Sequence, residues 1–324
     1  MRRRIGLALG SGGARGLCHI GVLQEMRALG AHPDVIAGTS IGALVGAAYA
    51  AGRLESLEEW ARGLTRVSFA RLWDLNLGTG GLVQGRALER LFADLDLPEK
   101  IEDLDVPLVA VATDLATGAE RWFQEGSLFD AVRASIALPG VISPHCVDGR
   151  WLLDGGLVNP IPVSAARTHH AQCVIAVNPN GRLDRVIWRS TPESAERMES
   201  QVAGDGGLSS YFAFLPSQMQ SALSSLSSPV KGPSPPGYLQ VLTASIEIMV
   251  DHIQRSRLAG DPPHVLLNGT LGEMSIFVLN QSRNQLGIAV DHRLPFGNRF
   301  ARQVKIENRH LSQRSIQQDM RRIT

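Results

Sequence analysis

The sequence predicts an α/β protein: a mostly parallel central sheet with helices on both faces. Two observations carry this. Short, almost wholly apolar runs recur up to about Asn180, as expected of strands buried on both sides. Between them lie segments with apolar residues at helical spacing, so strand and helix alternate as parallel crossovers require. Composition agrees, because 44% hydrophobic and 19% charged residues over 324 positions describe a globular chain with a sizeable core.

In chain order, Ile5–Leu9 reads as the first strand. With Met1-Arg2-Arg3-Arg4 before it, the start has the charged and apolar regions of a signal peptide. The apolar run is short, however, and glycines and Arg15 interrupt the next residues, so a buried strand is the reading. His19–Leu29 is the first helix, Val35–Ala37 the second strand and Ile41–Ala51 the next helix. Helical spacing returns over Leu54–Leu64, Arg86–Leu95 and Phe129–Ile136. Ile101–Leu104 with Val106-Pro107 reads as a turn feeding a strand at Leu108–Thr113, and Cys173–Val177 is a further strand.

Composition shifts after about Asn180. Phe212, Leu215, Met219, Leu223 and Leu226 fall at helical spacing, Ser227–Gly237 is a Pro/Ser/Gly loop, and Tyr238–Leu258 is a helix stopped by Asp261-Pro262-Pro263. From Val278 onward polar residues dominate and the tail is expected to be poorly ordered. The expected division is a core over 1–185, a helical extension over 186–277 with its loop at 227–237, and a tail over 278–324.

Charge and cysteine usage narrow the function classes. A formal net charge of +1 advertises no nucleic-acid partner. Cys18, Cys146 and Cys173 are widely spaced and form neither a zinc pattern nor a disulfide framework. They are expected to be buried thiols in a reducing cytoplasm. Ala43–Ala51 is too short to span a bilayer and leads into Arg53 and Glu55.

Three motifs carry chemistry. Gly38-Thr39-Ser40-Ile41-Gly42 places a serine between a strand and an apolar helix, the Gly-x-Ser-x-Gly pattern of a nucleophile elbow. The glycines allow a sharp turn, and the following helix N-terminus favours developing negative charge. An ordinary helix-capping serine is the other reading. One strand earlier, Gly10-Ser11-Gly12-Gly13-Ala14-Arg15-Gly16 opens the first helix. Its N–H groups suit either a dinucleotide phosphate or an oxyanion. The dinucleotide reading demands an acid at the end of the second strand, but Asp34 precedes that strand and Gly38-Thr39-Ser40 ends it. A loop needed only for packing is the third possibility.

The serine needs a base. His145, His169, His170, His252, His264 and His292 lie downstream, none in an obvious catalytic setting, with His169-His170 at the end of a polar helix. One strand before the elbow is also too few for an α/β-hydrolase. Asp154 is the better candidate: it ends the apolar Leu152-Leu153 and opens Gly155-Gly156. An Asp-Gly hairpin turn is the structural alternative.

Taken together, Gly10–Gly16, Gly38–Gly42 and Asp154–Gly156, in that order, make the chain resemble the bacterial patatin-like phospholipases and esterases. Ala112-Thr113-Asp114, Ala134–Gly140 and Asp154–Val163 match in style, and the resemblance covers roughly residues 5–270. It implies a patatin-like three-layer α/β/α fold and hydrolysis of lipid acyl esters by a Ser40–Asp154 dyad. Backbone N–H groups of Gly12, Gly13 and Ala14 would hold the oxyanion, and Gly10, Arg15, Gly16, Gly38, Gly42, Gly155 and Gly156 would support the motifs. No cofactor and no metal are implied. The expected partner is a lipid or acyl-ester substrate at a membrane surface, with the protein cytoplasmic or peripheral to the inner membrane. A catalytically impaired interaction protein and a nucleotide-binding enzyme using Gly10–Gly16 are the alternatives. The glycine loop fits Gly-x-Gly-x-x-Gly imperfectly, and the polar tail departs from the family pattern.

Overall fold

A computed structural model describes residues 4–63, 86–139, 141–181 and 238–269. Eight strands form one mixed sheet: β1 (Ile5–Leu9), β2 (Val35–Thr39), β3 (Leu108–Asp114), β4 (Glu120–Phe123), β5 (His145–Val147), β6 (Arg150–Asp154), β7 (Cys173–Asn178) and β8 (Val265–Asn268). The order is β5-β6-β3-β2-β1-β7-β8, with β4 also paired to β3. The pairings β3-β2-β1-β7-β8 are parallel. Those among β3, β4, β5 and β6 are antiparallel, so one side of an otherwise parallel sheet is closed by hairpin-type strands.

The central strands are buried along their whole length because both faces are covered. Alternation assigns the faces. Leu7, Leu9, Ile36, Leu108, Ile175 and Val177 point into one apolar cluster. That face is covered by α1 (Cys18–Ala28), α2 (Ile41–Ala50), α3 (Leu54–Gly63), α4 (Arg86–Asp94) and α5 (Leu128–Ser135). Ala8, Val35, Ala37, Val109, Val174 and Ala176 face the other way, into a cluster with the short helix α6 (Val163–Ala166) and Leu258 of α7 (Tyr238–Gly260). The second face is lined by smaller residues, so its cover can lie close. A β-carbon on Gly6 would stand 2.1 Å from the Ala166 carbonyl oxygen.

Register places the site. β2 pairs with β3 up to Thr39 opposite Val111, and β6 pairs with β3 from Ala112 opposite Asp154. On the far edge β4 pairs with Ala110 and Ala112, so β2 and β6 must share the near edge of β3, one after the other. The end of β6 therefore meets the end of β2.

Several expectations need correction. Cys18 and Cys173 are buried, but Cys146 is exposed on the edge strand β5. His169 and His170 do not end a helix: α6 stops at Ala166, and both histidines sit in an exposed turn with positive φ. Asp154-Gly155 is not a hairpin turn. The hairpin turn is Asp148-Gly149, with φ of 51° and 74°, joining β5 to β6.

The chain divides into two units, 1–185 with 249–324 and 186–248, and of the second only Tyr238–Ile248 is described. The stripe expected at 212–226, the loop at 227–237 and the tail at 278–324 lie outside the described residues. Among the described residues no helix is long and apolar enough to cross a membrane.

Candidate active site at the end of strand β2

β2 ends at Thr39 and the chain turns through Ser40 into α2. Ser40 holds φ 59° and ψ −126°, a conformation that strains any residue with a β-carbon and persists only where its surroundings enforce it. The surroundings do so here. The Ser40 N–H donates to Ser135 Oγ at 2.8 Å, and that hydroxyl donates to the Val111 carbonyl at 2.6 Å. The preceding Thr39 Oγ1 donates to the Asn159 carbonyl at 2.8 Å.

Asp154 ends β6 and caps the 3-10 turn Gly155–Leu157. Its Oδ1 accepts the Gly156 N–H at 2.7 Å, and its Oδ2 accepts the Ser40 hydroxyl at 2.6 Å. Its backbone is pinned too: N–H to the Ala137 carbonyl at 2.9 Å, and C=O from Thr113 Oγ1 at 2.8 Å. The carboxyl is 3% exposed, and that burial pushes its pKa up to about 6 against the opposing pull of the Ser40 and Gly156 hydrogen bonds. Above that pH it is a carboxylate in hydrogen-bond contact with a serine hydroxyl, which can accept the hydroxyl proton.

The glycine loop follows β1 and leads through a 3-10 turn, Gly13–Leu17, into α1. Its first N–H groups are spent on the frame: Gly10 to the Val177 carbonyl at 3.0 Å and Ser11 to Pro160 at 2.8 Å. The N–H groups of Gly12, Gly13 and Ala14 have no hydrogen-bond partner among the described residues. Gly13 is exposed and Ala14 half-buried, so two of the three can be reached from outside. Arg15 is 4% exposed, and burial lowers its pKa to about 10, which leaves it charged at neutral pH. It donates to Asn180 Oδ1 at 3.0 Å, and Asn180 donates to the Ser11 carbonyl at 3.0 Å, so Arg15 braces the loop through Asn180.

Close backbone approach locks the three motifs together. A β-carbon on Gly42 would stand 2.2 Å from the Leu9 carbonyl oxygen, and one on Gly16 would stand 2.0 Å from Ile41 Cγ2. One on Gly156 would meet Asp154 Oδ1 at 3.0 Å and Ser11 Oγ at 3.2 Å. Gly38 packs within its own turn against Ala43, and Gly155 lies over the Val111 carbonyl. Two of the downstream histidines are engaged elsewhere: His145 Nε2 bonds Asp130 Oδ1 at 2.7 Å, and His264 Nδ1 accepts the Val174 N–H at 2.9 Å. Among the described residues no group of three His, Cys, Asp or Glu side chains could hold a metal.

Ser135, Asn159 and Asn180 carry no motif of their own. Ser135 was visible only inside the Ala134–Gly140 segment, because its partner Ser40 lies 95 positions away.

The fold and the site define a class: α/β proteins with a serine in a strained strand–turn–helix, a buried aspartate against its hydroxyl and a glycine loop packed on both. Residues 7–167, which hold all three motifs, match the family model of the patatin-like phospholipases, so the chain carries a domain of that family. It is 48% identical over 178 residues to an uncharacterized NTE family protein of Mycobacterium tuberculosis, covering 55% of this chain and 49% of that one. It is 40% identical over 181 residues to human patatin-like phospholipase domain-containing protein 6, covering 54% of this chain and 13% of that one. The chain thus spans about half the length of its mycobacterial relatives and a small part of the human one.

Proposed function

We propose that the protein is a serine acyl hydrolase that cleaves carboxylic esters of lipids through an acyl-enzyme. The observation that carries the reading is the 2.6 Å hydrogen bond from Ser40 Oγ to Asp154 Oδ2, made by a serine held at φ 59°. The family domain and the naming of its relatives as phospholipase-domain proteins support an ester substrate of lipid type.

Ser40 Oγ attacks the ester carbonyl while its proton passes to Asp154 Oδ2. The tetrahedral oxyanion is held by the N–H groups of Gly12, Gly13 and Ala14, whose donors are unspent and lie at the N-terminal end of a helical segment. Collapse expels the alkoxide, which takes the proton back from Asp154. Water then gives a proton to Asp154 as it attacks the acyl-serine, and collapse releases the acid while Asp154 returns that proton to Ser40 Oγ. Because the lone base is a carboxylate, no histidine is needed. Cys18, Cys146 and Cys173 stand as thiols and not as disulfides, which fits a reducing cytoplasm from which the enzyme would meet its lipid at a membrane surface.

A fluorophosphonate probe tests this directly. The wild type should label once per chain and release a burst from a short-chain p-nitrophenyl ester, and Ser40→Ala should do neither. Full activity of Ser40→Ala would overturn the proposal.

A further inference from the structure

We infer that His19 is a positioning residue for the oxyanion loop: its Nε2–H holds the Gly10 carbonyl and so fixes where the loop and the serine turn meet. The inference rests on the catalytic reading above.

His19 lies on the apolar first turn of α1 and is 0% exposed. Its Nε2 stands 2.8 Å from the Gly10 carbonyl oxygen. A carbonyl can only accept, so Nε2 must carry the proton. Burial lowers the pKa of the ring to about 4, which leaves it neutral at pH 7, with a bare Nδ1. That nitrogen is buried and has no hydrogen-bond partner among the described residues. An orphaned buried acceptor is unfavourable and calls for a reason. Packing supplies none, since leucine or methionine would fill a helix–sheet contact without a stranded polar atom.

The Gly10 carbonyl supplies the reason. It stands at the point where β1 gives way to the loop, and His19 is the donor the described residues offer it. The same oxygen lies 2.9 Å from where a Gly42 β-carbon would be, so it forms part of the floor beneath the serine turn. The loop leaves this carbonyl at Gly10 and returns as α1 at Cys18. The His19 bond ties the two together across the stretch that holds Gly12, Gly13 and Ala14. If Gly10 were free to rotate, the stretch that carries those N–H groups would lose its anchor beside the serine turn.

The test compares His19→Phe and His19→Gln, whose amide can carry a donor toward the same carbonyl. The readouts are the fluorophosphonate labelling rate, kcat and KM on a p-nitrophenyl ester, and Tm. His19→Phe should lower the labelling rate and kcat by roughly tenfold or more with KM little changed, and His19→Gln should recover most of that loss. Wild-type labelling by a folded His19→Phe would overturn the inference, and so would equal impairment of both variants. Should His19→Phe not fold, nitrogen NMR of imidazole-labelled wild type decides. The His19 ring, assigned by difference from His19→Gln, should stay neutral with its proton on Nε2 from pH 5 to 8, and a proton on Nδ1 would sink the idea. A wild type that never labels defeats the catalytic reading instead, and the NMR result still stands on its own.

Discussion

Two aspartates end adjacent strands of the same sheet, and their surroundings drive them in opposite directions. Asp114 ends β3 and Asp154 ends β6, with Asp114 opposite Leu152 in the register. Asp114 accepts the N–H groups of Ala116 and Thr117, the Thr117 hydroxyl and the Arg150 guanidinium. The Thr117 hydrogen bonds, with Arg150 behind them, hold its carboxyl below the usual range. Asp154 accepts one N–H and one hydroxyl, and burial holds it up at about 6. A carboxylate that accepts four hydrogen bonds is a poor proton acceptor. One that is desolvated and under-satisfied is a base waiting for a proton. On the proposed mechanism Asp114 is a fastening and Asp154 a reagent, although both motifs read alike in the sequence as an aspartate closing an apolar run.

Substitution should separate the two most sharply in the rate. Asp154→Asn should lower kcat/KM on a p-nitrophenyl ester by roughly a thousandfold or more, as should Ser40→Ala. Asp114→Asn should leave that rate within a few-fold of wild type while lowering Tm, because four donors lose their acceptor charge. A rate collapse in Asp114→Asn at unchanged Tm would erase the distinction.

A smaller effect comes from pH. The free-enzyme profile of kcat/KM should fall about tenfold per pH unit below about pH 6, as Asp154 takes up its proton. A flat profile down to pH 5 would mean that another group is the base.

Stability should move with opposite signs at the two sites. The folded pKa of Asp154 lies above its unfolded value, so the folded state binds the proton more tightly. Stability is then lost as pH rises from about 4 to about 6, on the order of 3 kcal/mol by neutral pH. Asp154→Asn removes this term, so its advantage in unfolding free energy should grow over that window and level off above it. Asp114 works the other way: its contribution is present above the unfolded value and is lost as pH falls through the lowered one. His19 shares that sign, with stability lost as pH falls between about 6.5 and about 4, so wild type alone would show a blurred sum. Urea unfolding of variant beside wild type at pH 4, 6 and 8 isolates each term.

Ser135→Ala is the mildest change. It strands the buried N–H of Ser40 and should cost about 1–3 kcal/mol and roughly tenfold in kcat, with KM little affected. An unaltered kcat would show that the strained turn holds itself.

The four central parallel strands were legible because they are buried on both faces and largely apolar. The observed Ile5–Leu9, Val35–Thr39, Leu108–Asp114 and Cys173–Asn178 differ from expectation by two residues at most. β4, β5 and β8 were not foreseen. They are three or four residues long and half exposed, so the sheet edge defines them rather than their own periodicity. The Asp-Gly hairpin signal was real but belonged to Asp148-Gly149, one motif upstream of where it was weighed. Ser40, Asp154 and the glycine loop could be read as local motifs. Ser135, Asn180 and His19 could not, because each acts through hydrogen bonds to backbone or side-chain atoms that only the fold brings near.

The succession of β2 and β6 along one edge of β3 bears on how the site comes into being. Ser40 and Asp154 are 114 positions apart, and the carboxylate arrives only when the last antiparallel hairpin docks. A chain of which only β1, β2 and α2 have left the ribosome holds Ser40 without Asp154 and without the Ser135 and Asn159 that fix its turn. On the proposed mechanism a chain that stops short of β6 has no base for Ser40 and should show no ester hydrolysis.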